Sequence, residues 1–244
     1  MLSKSELERY NRQMLISGWG KEGQTKLKKA KVVVAGVGGL GCPVSLYLTA
    51  AGVGNITLID NEKFELSNLN RQILCFQKEV GRPKIEVAQE KLEALNPEIK
   101  VSTRLVEITK NNICELIHGS DVVVDAMDNW KTRFIINEGC VLERIPLVHA
   151  GIYGWSGQIT TILPGKGPCL RCIIPHDLIE VKPFPVLGAT PGFFAMLQVM
   201  EVAKLLTGLG SPLIGKLLIF DGEDMSFNIV EVSRNPKCPI CKDV

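Results

Sequence analysis

The chain has 244 residues, of which 45% are hydrophobic and 22% are charged, the proportions of an ordinary globular protein. A formal net charge of +2 does not indicate a nucleic-acid or membrane surface, so we expect neither partner. No apolar run reaches the ~18 residues of a membrane span, and the charged start of the chain lacks the apolar region of a signal peptide. We therefore expect a cytoplasmic location, where cysteine pairs favour metal binding over disulfides.

Strands and helices alternate through the first half of the chain, after a helical segment over 3–29 that Gly18 and Gly20 interrupt. Apolar runs predict strands over 31–36, 55–60, 99–105, 121–126 and 147–149. Helices are predicted between them over 40–51, 83–95, 111–117 and 130–143. This alternation predicts a parallel sheet with right-handed crossovers.

The pattern changes after Gly151. Residues 156–163 alternate as an antiparallel strand does, and the segment 164–190 is rich in Pro and Gly, which predicts a long loop. A helix over 193–206 and hairpin strands over 216–220 and 227–232 follow. The sequence thus predicts an α/β chain: a Rossmann-like, mostly parallel sheet with helices on both faces and an antiparallel C-terminal extension.

A glycine loop, Gly36-Val-Gly38-Gly39-Leu-Gly41, follows the first strand and opens a helix. In that context glycines let backbone amides approach a phosphate at the N-terminus of the helix. Asp60 ends the second strand, where a carboxylate accepts a ribose hydroxyl. Alone, this fingerprint most often indicates NAD or FAD, so a nicotinamide-dependent oxidoreductase stays open as an alternative.

Three further features favour a nucleoside triphosphate. Arg71 and Lys84 add two cations after the ribose carboxylate, as neutralisation of a triphosphate requires. Asp128 follows the fourth strand, where a carboxylate can hold Mg²⁺ on phosphates, and Glu62 adds another carboxylate. The candidate nucleotide-binding residues are Gly36, Gly38, Gly39, Gly41, Asp60, Glu62, Ser67, Asn68, Leu69, Asn70, Arg71, Gln72, Lys84, Asp128 and Asn129.

Two C-x-x-C pairs lie in the second half, Cys169 with Cys172 and Cys238 with Cys241. Four thiolates in two such pairs form a closed tetrahedral Zn²⁺ site, which would tie the tail to the body as a four-cysteine zinc clip. The remaining cysteines are scattered, and we expect them to be small buried hydrophobic residues. They are Cys42, Cys75, Cys114 and Cys140.

Several motifs occur together: Arg9-Tyr-Asn-Arg12-Gln13, GVGGLGCP, AGVGNITLID, SNLNRQ, GRPK, DAMDN, the two C-x-x-C pairs and Arg234-Asn-Pro-x-Cys238. In this combination the chain resembles the ThiF/MoeB/HesA family of adenylyltransferases, which is related to ubiquitin-activating enzymes. The resemblance implies that ATP and Mg²⁺ adenylate the C-terminal glycine of a small ubiquitin-like sulfur-carrier protein. Sulfur, from a possible separate donor, would then attack the acyl-adenylate to give a thiocarboxylate.

The resemblance also implies roles for single residues. Gly39 and Gly41 match the phosphate loop, Asp60 the ribose carboxylate, and Asp128 the magnesium ligand. The positions that match triphosphate contacts are Asn68, Arg71 and Lys84. Arg12 matches an arginine that reaches the γ-phosphate from the partner subunit of a homodimer, and the four C-x-x-C cysteines match structural zinc ligands. The implied catalytic residues are Arg12, Arg71, Lys84 and Asp128.

A single adenylation domain over 1–244 follows from this resemblance. Its parts are N-terminal helices in 1–30, a nucleotide-binding half in 31–150, and a substrate-binding half with the zinc site in 151–244. The glycine-rich segment 150–157 is placed to line a groove for the carrier's tail.

One departure from the family concerns the crossover loop that starts at Ile179, where many members carry a cysteine. Here the loop contains none, so we expect no thioester or persulfide step. Cys42 is the first candidate if such an intermediate forms, since thiol pKa values fall at helix N-termini. Alternatives remain open: adenylation of a peptide C-terminus or of the threonylcarbamoyl group of a tRNA, and a non-catalytic binding subunit.

Overall fold

One mixed sheet of eight strands runs through the computed structural model, which describes residues 1–178 and 183–244. The strands are β1 (Lys31–Ala35), β2 (Asn55–Ile59), β3 (Lys100–Arg104), β4 (Val122–Asp125), β5 (Leu147–Tyr153), β6 (Ser156–Ile162), β7 (Lys216–Asp221) and β8 (Ser226–Glu231). In space their order is β3-β2-β1-β4-β5-β6-β7-β8. Strands β1 to β5 pair in parallel, whereas β6, β7 and β8 continue the sheet antiparallel. The predicted fold class is confirmed.

Helices cover both faces of the sheet. They are α1 (Lys4–Arg9), α2 (Asn11–Met14), α3 (Gly20–Lys29), α4 (Gly41–Ala51), α5 (Lys84–Leu95), α6 (Ile113–Ile117), α7 (Trp130–Leu142), α8 (Leu170–Ile173) and α9 (Ala189–Thr207). Side chains alternate across β1, so Val32 and Val34 join a core under α4, α5 and α9, while Val33 joins a second core under α6 and α7. Among the described residues, no helix is both long and apolar enough to cross a membrane.

Several predicted segments differ from the structure. The segment 164–190, predicted as a loop, contains the short helix α8 at Leu170–Ile173. The segment 3–29 forms three helices rather than one broken helix, and Gly18 in the turn before α3 has a φ of +81°. Helix α9 begins at Ala189 instead of residue 193, because Pro191 is tolerated in a first turn, where its missing N–H leaves no hydrogen bond unmade. Strand β5 extends past residue 149 to Tyr153, because its last residues pair with β6.

The topology gathers the loops that were expected to bind a nucleotide. Strand β1 lies between β2 and β4, and Ala35 is in register with both Ile59 and Asp125. The chain therefore leaves β1, β2 and β4 side by side at the carboxyl edge of the sheet. A crevice forms where connections diverge from adjacent parallel strands, and ligands bind there in open α/β sheets.

Candidate active site and metal centre

The glycine loop is held tightly against the start of α4. Gly36 has a φ of +95°, which favours glycine, and its N–H donates to the carbonyl of Ile59 at 2.8 Å. A Cβ added at Gly41 would lie 1.9 Å from the carbonyl oxygen of Gly36. Gly41 thus acts through close packing, which leaves the positive N-terminal end of an eleven-residue helix directly behind the loop.

A cavity of about 1120 Å³ opens at this edge of the sheet, and its volume is sufficient for a nucleotide with part of a second substrate. Most of the predicted nucleotide-binding residues line it: Gly36, Gly38, Gly39, Asp60, Glu62, Ser67, Asn68, Arg71, Gln72, Lys84, Asp128 and Asn129. Gly41, Leu69 and Asn70 are not among its lining residues, nor is Arg12, which is exposed on α2.

Asp60 is fixed by backbone amides at the end of β2. One carboxylate oxygen accepts from the N–H of Val37 at 2.7 Å, and the other accepts from the N–H of Glu62 at 2.8 Å. Burial raises the pKa of Asp60, while Lys84 and the two amides oppose that shift. The carboxylate is therefore rigidly oriented beside the glycine loop, with lone pairs left over for a ligand hydroxyl.

Two cations also line the cavity, Lys84 and Arg71. Lys84 is 4% exposed, and its Nζ lies 2.6 Å from a carboxylate oxygen of Glu62, whose own side chain is largely exposed. Arg71 is less buried and donates from Nη1 to the carbonyl of Ser67 and to Oδ1 of Asn70, both at 2.9 Å. The buried ammonium of Lys84 is thus paired with a carboxylate that is itself largely in contact with solvent.

Asp128 and Asn129 connect β4 to α7. Asn129 caps that helix, because its Oδ1 accepts from the N–H of Thr132 at 2.8 Å. Its Nδ2 lies 3.3 Å from Oδ1 of Asp128, which is exposed at the cavity. The carboxylate of Asp128 is the donor type that Mg²⁺ prefers, and it faces the same cavity as the two cations.

Sequence reasoning missed a buried pair beneath this segment. His149 on β5 is fully buried, and its Nδ1 lies 2.7 Å from Oδ2 of Asp125 at the end of β4. The other oxygen of Asp125 accepts from the N–H of Met127 at 3.0 Å. Burial lowers the pKa of His149, against the opposing influence of Asp125. The pair shapes the turn that carries Asp128. No local motif identifies it, because 24 residues separate its members.

Arg133, in the first turns of α7, was also missed. It is 6% exposed and lines the cavity, and its Nε and Nη2 both donate to the carbonyl of Met127, at 3.1 and 2.6 Å. A buried arginine is rare unless it is paired. The spacing of four residues from Asn129 along a helix was the available signal, since it places both residues on one face.

The four C-x-x-C cysteines meet in space. Their Sγ atoms all lie within 4.8 Å of one another. The separations are 3.6 Å for Cys169 and Cys238, 3.5 Å for Cys172 and Cys241, and 4.0 Å for Cys169 and Cys172. A tetrahedron of Zn–S bonds of about 2.3 Å has edges of about 3.8 Å. These four side chains therefore fit Zn²⁺ with no fifth position for a substrate, which indicates a structural metal.

The other cysteines behave as small apolar residues. Cys42, Cys75 and Cys140 are buried, and Cys114 is half-buried, largely as expected. Cys42 was also the first candidate if a covalent intermediate formed, and the structure disfavours that role: burial raises the pKa of its thiol to about 12, and the thiol donates to the carbonyl of Val37. Desolvation outweighs the helix N-terminus at this position.

This fold and site define a nucleotide-binding α/β protein whose tail supplies two of four clustered cysteines that could hold a metal ion. The chain belongs to the ThiF family, whose model matches residues 10–240. Its relatives carry adenylyltransferase names, and the chain is an enzyme of that class.

Two relatives and one solved structure illustrate the likeness. A sulfur carrier protein adenylyltransferase of Thermus thermophilus is 43% identical over 99% of this chain and 93% of its own length. A SAMP-activating enzyme E1 of Haloferax volcanii is 42% identical over 98% and 90%. The crystal structure of E. coli MccB with AMPCPP and MccA has a TM-score of 0.88 and 28% identity, over 98% of this chain and 75% of that chain.

Substitution of one cluster cysteine should weaken metal binding and loosen the attachment of the C-terminal tail. We expect about one zinc ion per purified chain, and Cys172→Ser or Cys241→Ser should lower both the zinc content and the unfolding midpoint, by roughly 5 °C or more, because metal binding is coupled to folding. Elemental analysis and thermal unfolding with and without a chelator measure both. Cys114→Ser, outside the cluster, is the control. Metal-free protein with an unchanged midpoint would contradict the assignment.

Proposed function

We propose that the protein uses ATP and Mg²⁺ to adenylate the C-terminal glycine carboxylate of a small ubiquitin-like sulfur-carrier protein that ends in Gly-Gly. The observation that carries the proposal is the single cavity that brings Lys84, Arg71 and Asp128 together behind a glycine loop. Family membership favours adenylation over nicotinamide chemistry, and the names of the relatives from Thermus thermophilus and Haloferax volcanii favour a sulfur carrier as the substrate.

The nucleotide's place follows from the fixed groups. Amides of the glycine loop and the N-terminus of α4 would take a phosphate, and Asp60 would accept a ribose hydroxyl. Lys84 would exchange Glu62 for the triphosphate, since Glu62 is mostly exposed and regains hydration when it is released. Asn68, Arg71 and Gln72 lie along the same wall. A bound phosphate chain thus replaces an existing ion pair and does not need to create a new buried charge.

The reaction needs position and charge more than proton transfer. The glycine carboxylate is already ionised near pH 7, so no general base is required. One of its oxygens attacks the α-phosphorus, the bond from that phosphorus to the bridging oxygen breaks, and pyrophosphate leaves with the electron pair. Lys84 and Arg71 would neutralise the leaving charge. Magnesium held at Asp128 would supply electrostatic stabilisation of the phosphate oxygens.

The carrier's tail would lie along the surface of the paired strands β5 and β6, where both face the cavity. Gly151, Tyr153, Gly157 and Gln158 line that side of the cavity. Glycine at position 157 is required by packing against the core, since a Cβ there would lie 2.4 Å from the ring of Phe194, which is buried on α9. Because Gly151 and Gly157 carry no side chains, the strand pair would leave room for an extended tail.

Zinc would have a structural role in this enzyme, and its four thiolates suit a reducing cytoplasm. Sulfur would come from a separate donor. The crossover loop has no cysteine, although its residues 179–182 lie outside the described part of the chain, and Cys42 is buried with a raised pKa. We therefore propose that the reaction in this protein ends at the acyl-adenylate.

A peptide C-terminus is a second candidate substrate. It is favoured by the structural likeness to MccB with MccA, whereas the 43% and 42% identities to carrier-activating relatives are higher than the 28% identity to MccB. A globular carrier and a free peptide with the same last residues would distinguish the two, because only a carrier substrate depends on contacts beyond the tail.

Homodimerisation would complete the site. Arg12 is exposed on α2 and is not among the residues that line the cavity. Beside it, Leu15 and Ile16 are 70% and 53% exposed, and adjacent exposed apolar side chains mark interaction surfaces. We propose that this surface packs against a second copy across a two-fold axis, so that Arg12 reaches the partner's nucleotide.

Loss of a site charge should abolish adenylation. Arg71→Ala, Lys84→Ala and Asp128→Ala should each reduce carrier-dependent ATP–pyrophosphate exchange by roughly 100-fold or more, the scale for one preorganised charge. Exchange should also require Mg²⁺. Lys29→Ala, at an exposed lysine in the last turn of α3, before β1 begins and not among the residues that line the cavity, should leave the rate unchanged. Wild-type rates in all three site variants would overturn the proposal.

No covalent complex with the carrier is expected. Enzyme, ATP and carrier should yield acyl-adenylate, while intact-mass analysis without reductant should detect only the separate proteins, because no cysteine is among the described residues that line the cavity. A reductant-sensitive adduct would show that a cysteine takes part. Peptide mapping would then locate it.

Subunit mixing tests the shared site. Arg12→Ala and Asp128→Ala chains should each be inactive alone. After subunit exchange, half the dimers should be mixed and one of their two sites intact, so activity should recover to about a quarter of the wild-type value. Exchange is verified by native mass spectrometry. If verified exchange restores no activity, Arg12 does not act across an interface.

A further inference from the structure

Arg133 carries a charge that the described part of the chain leaves uncompensated. It is 6% exposed, and the hydrogen bonds of its guanidinium both go to the neutral carbonyl of Met127. Its Cζ lies 4.9 Å from the ring centroid of Trp130, a contact worth far less than an ion pair in a dry site. Asp125 is already engaged by His149. A buried guanidinium without a carboxylate is costly unless a ligand completes it.

The free nitrogen of this guanidinium points along the floor of the cavity. Nη1 accounts for none of the bonds to Met127, and a Cβ added at Gly151 would lie 2.6 Å from it. Gly151 is paired with Gln158 on β6, and both residues line the cavity. Nη1 therefore faces the strand pair along which a tail would enter, and glycine at position 151 leaves the space that the guanidinium occupies.

Two anions would enter this cavity, the triphosphate and the tail carboxylate. The triphosphate belongs with the glycine loop, Arg71 and Lys84, which lie after β1, in the segment after β2 and at the start of α5. Arg133 stands instead beside β5, on the side of the proposed tail groove. Its position thus matches the carboxylate better than the phosphates.

We infer that Arg133 is the receptor for the attacking carboxylate, with Nη1 donating to one of its two oxygens. The second oxygen stays free to form the bond to the α-phosphorus as pyrophosphate leaves. A single charged hydrogen bond of this kind orients the nucleophile and also distinguishes a free C-terminus from an amide. This inference rests on the proposed adenylation and names the group that recognises its acceptor.

The test compares a ubiquitin-like carrier that ends in Gly-Gly with the same carrier bearing a C-terminal carboxamide. With a non-hydrolysable ATP analogue present, wild-type protein should bind the acid at least about 10-fold more tightly than the amide, the scale of one charged hydrogen bond. Arg133→Met should remove most of that preference. In pyrophosphate exchange, its KM for the carrier should rise about 10-fold or more while its KM for ATP changes less than about 2-fold.

A second variant moves the guanidinium of Arg133 without removing it. Gly151→Ala should displace the guanidinium and weaken the preference for the acid, and it keeps the test available if Arg133→Met does not fold. Gly192→Ala is the control, because a Cβ there meets nothing within 4 Å. Thermal unfolding midpoints check the integrity of each variant.

Three outcomes would overturn the role of Arg133. An unchanged acid preference in folded Arg133→Met and Gly151→Ala excludes a carboxylate contact. A raised KM for ATP with the carrier KM unchanged assigns Arg133 to the phosphates instead. Absence of exchange in wild-type protein with every carrier contradicts the proposed function, and this inference with it.

Discussion

The divergence of the chain at β1 is the constraint on which the rest of the structure depends. Because β1 is flanked by β2 on one side and β4 on the other, the loops after these three strands emerge together at one edge. Asp60 and Asp128 follow Gly36 by 24 and 92 residues in the sequence, yet all three residues line one cavity. There is no room for a side chain where α4 packs against the glycine loop. A Cβ at Gly41 would lie 1.9 Å from the carbonyl oxygen of Gly36, so α4 can approach the loop, and the proposed phosphate site, only with glycine at position 41.

Electrostatics in the cavity follow from how each cation is held. Lys84 is buried and paired with the largely exposed Glu62, whereas Arg71 is bonded to neutral oxygens at the surface of its loop. Arg133 is buried, and the hydrogen bonds of its guanidinium go to a backbone carbonyl. A site with fixed positive charge stabilises anions without reorganisation at the moment of reaction. Burial of these charges away from water lowers the stability of the ligand-free protein, and anions bound in the cavity would offset that loss.

The parts of this molecule that local patterns encode were predictable from the sequence. Continuous apolar runs such as Val32–Val34 identify buried parallel strands, and the glycine loop and C-x-x-C pairs carry their own spacing. Contacts between distant residues were not predictable in this way. The pair of His149 and Asp125 depends on β5 lying beside β4, and the burial of Arg133 depends on how α7 crosses the sheet. Cys42 shows two opposing effects on one pKa. A helix N-terminus favours a lower thiol pKa, but burial raises the pKa of Cys42 by more than that.

The metal clip has a physical connection to the nucleotide edge. Cys169 precedes α8, and the N–H of Leu170 donates to Oδ1 of Asn137 on α7 at 2.8 Å. Helix α7 is the element whose N-terminus carries Asn129 and whose first turns carry Arg133. A clip that holds residues 169–172 against residues 238–241 therefore braces the middle of the helix that orients the proposed carboxylate receptor. Because the tail beyond β8 has little apolar surface of its own to bury, a metal ion held by the four thiolates would provide the attachment that packing alone cannot give such a short segment.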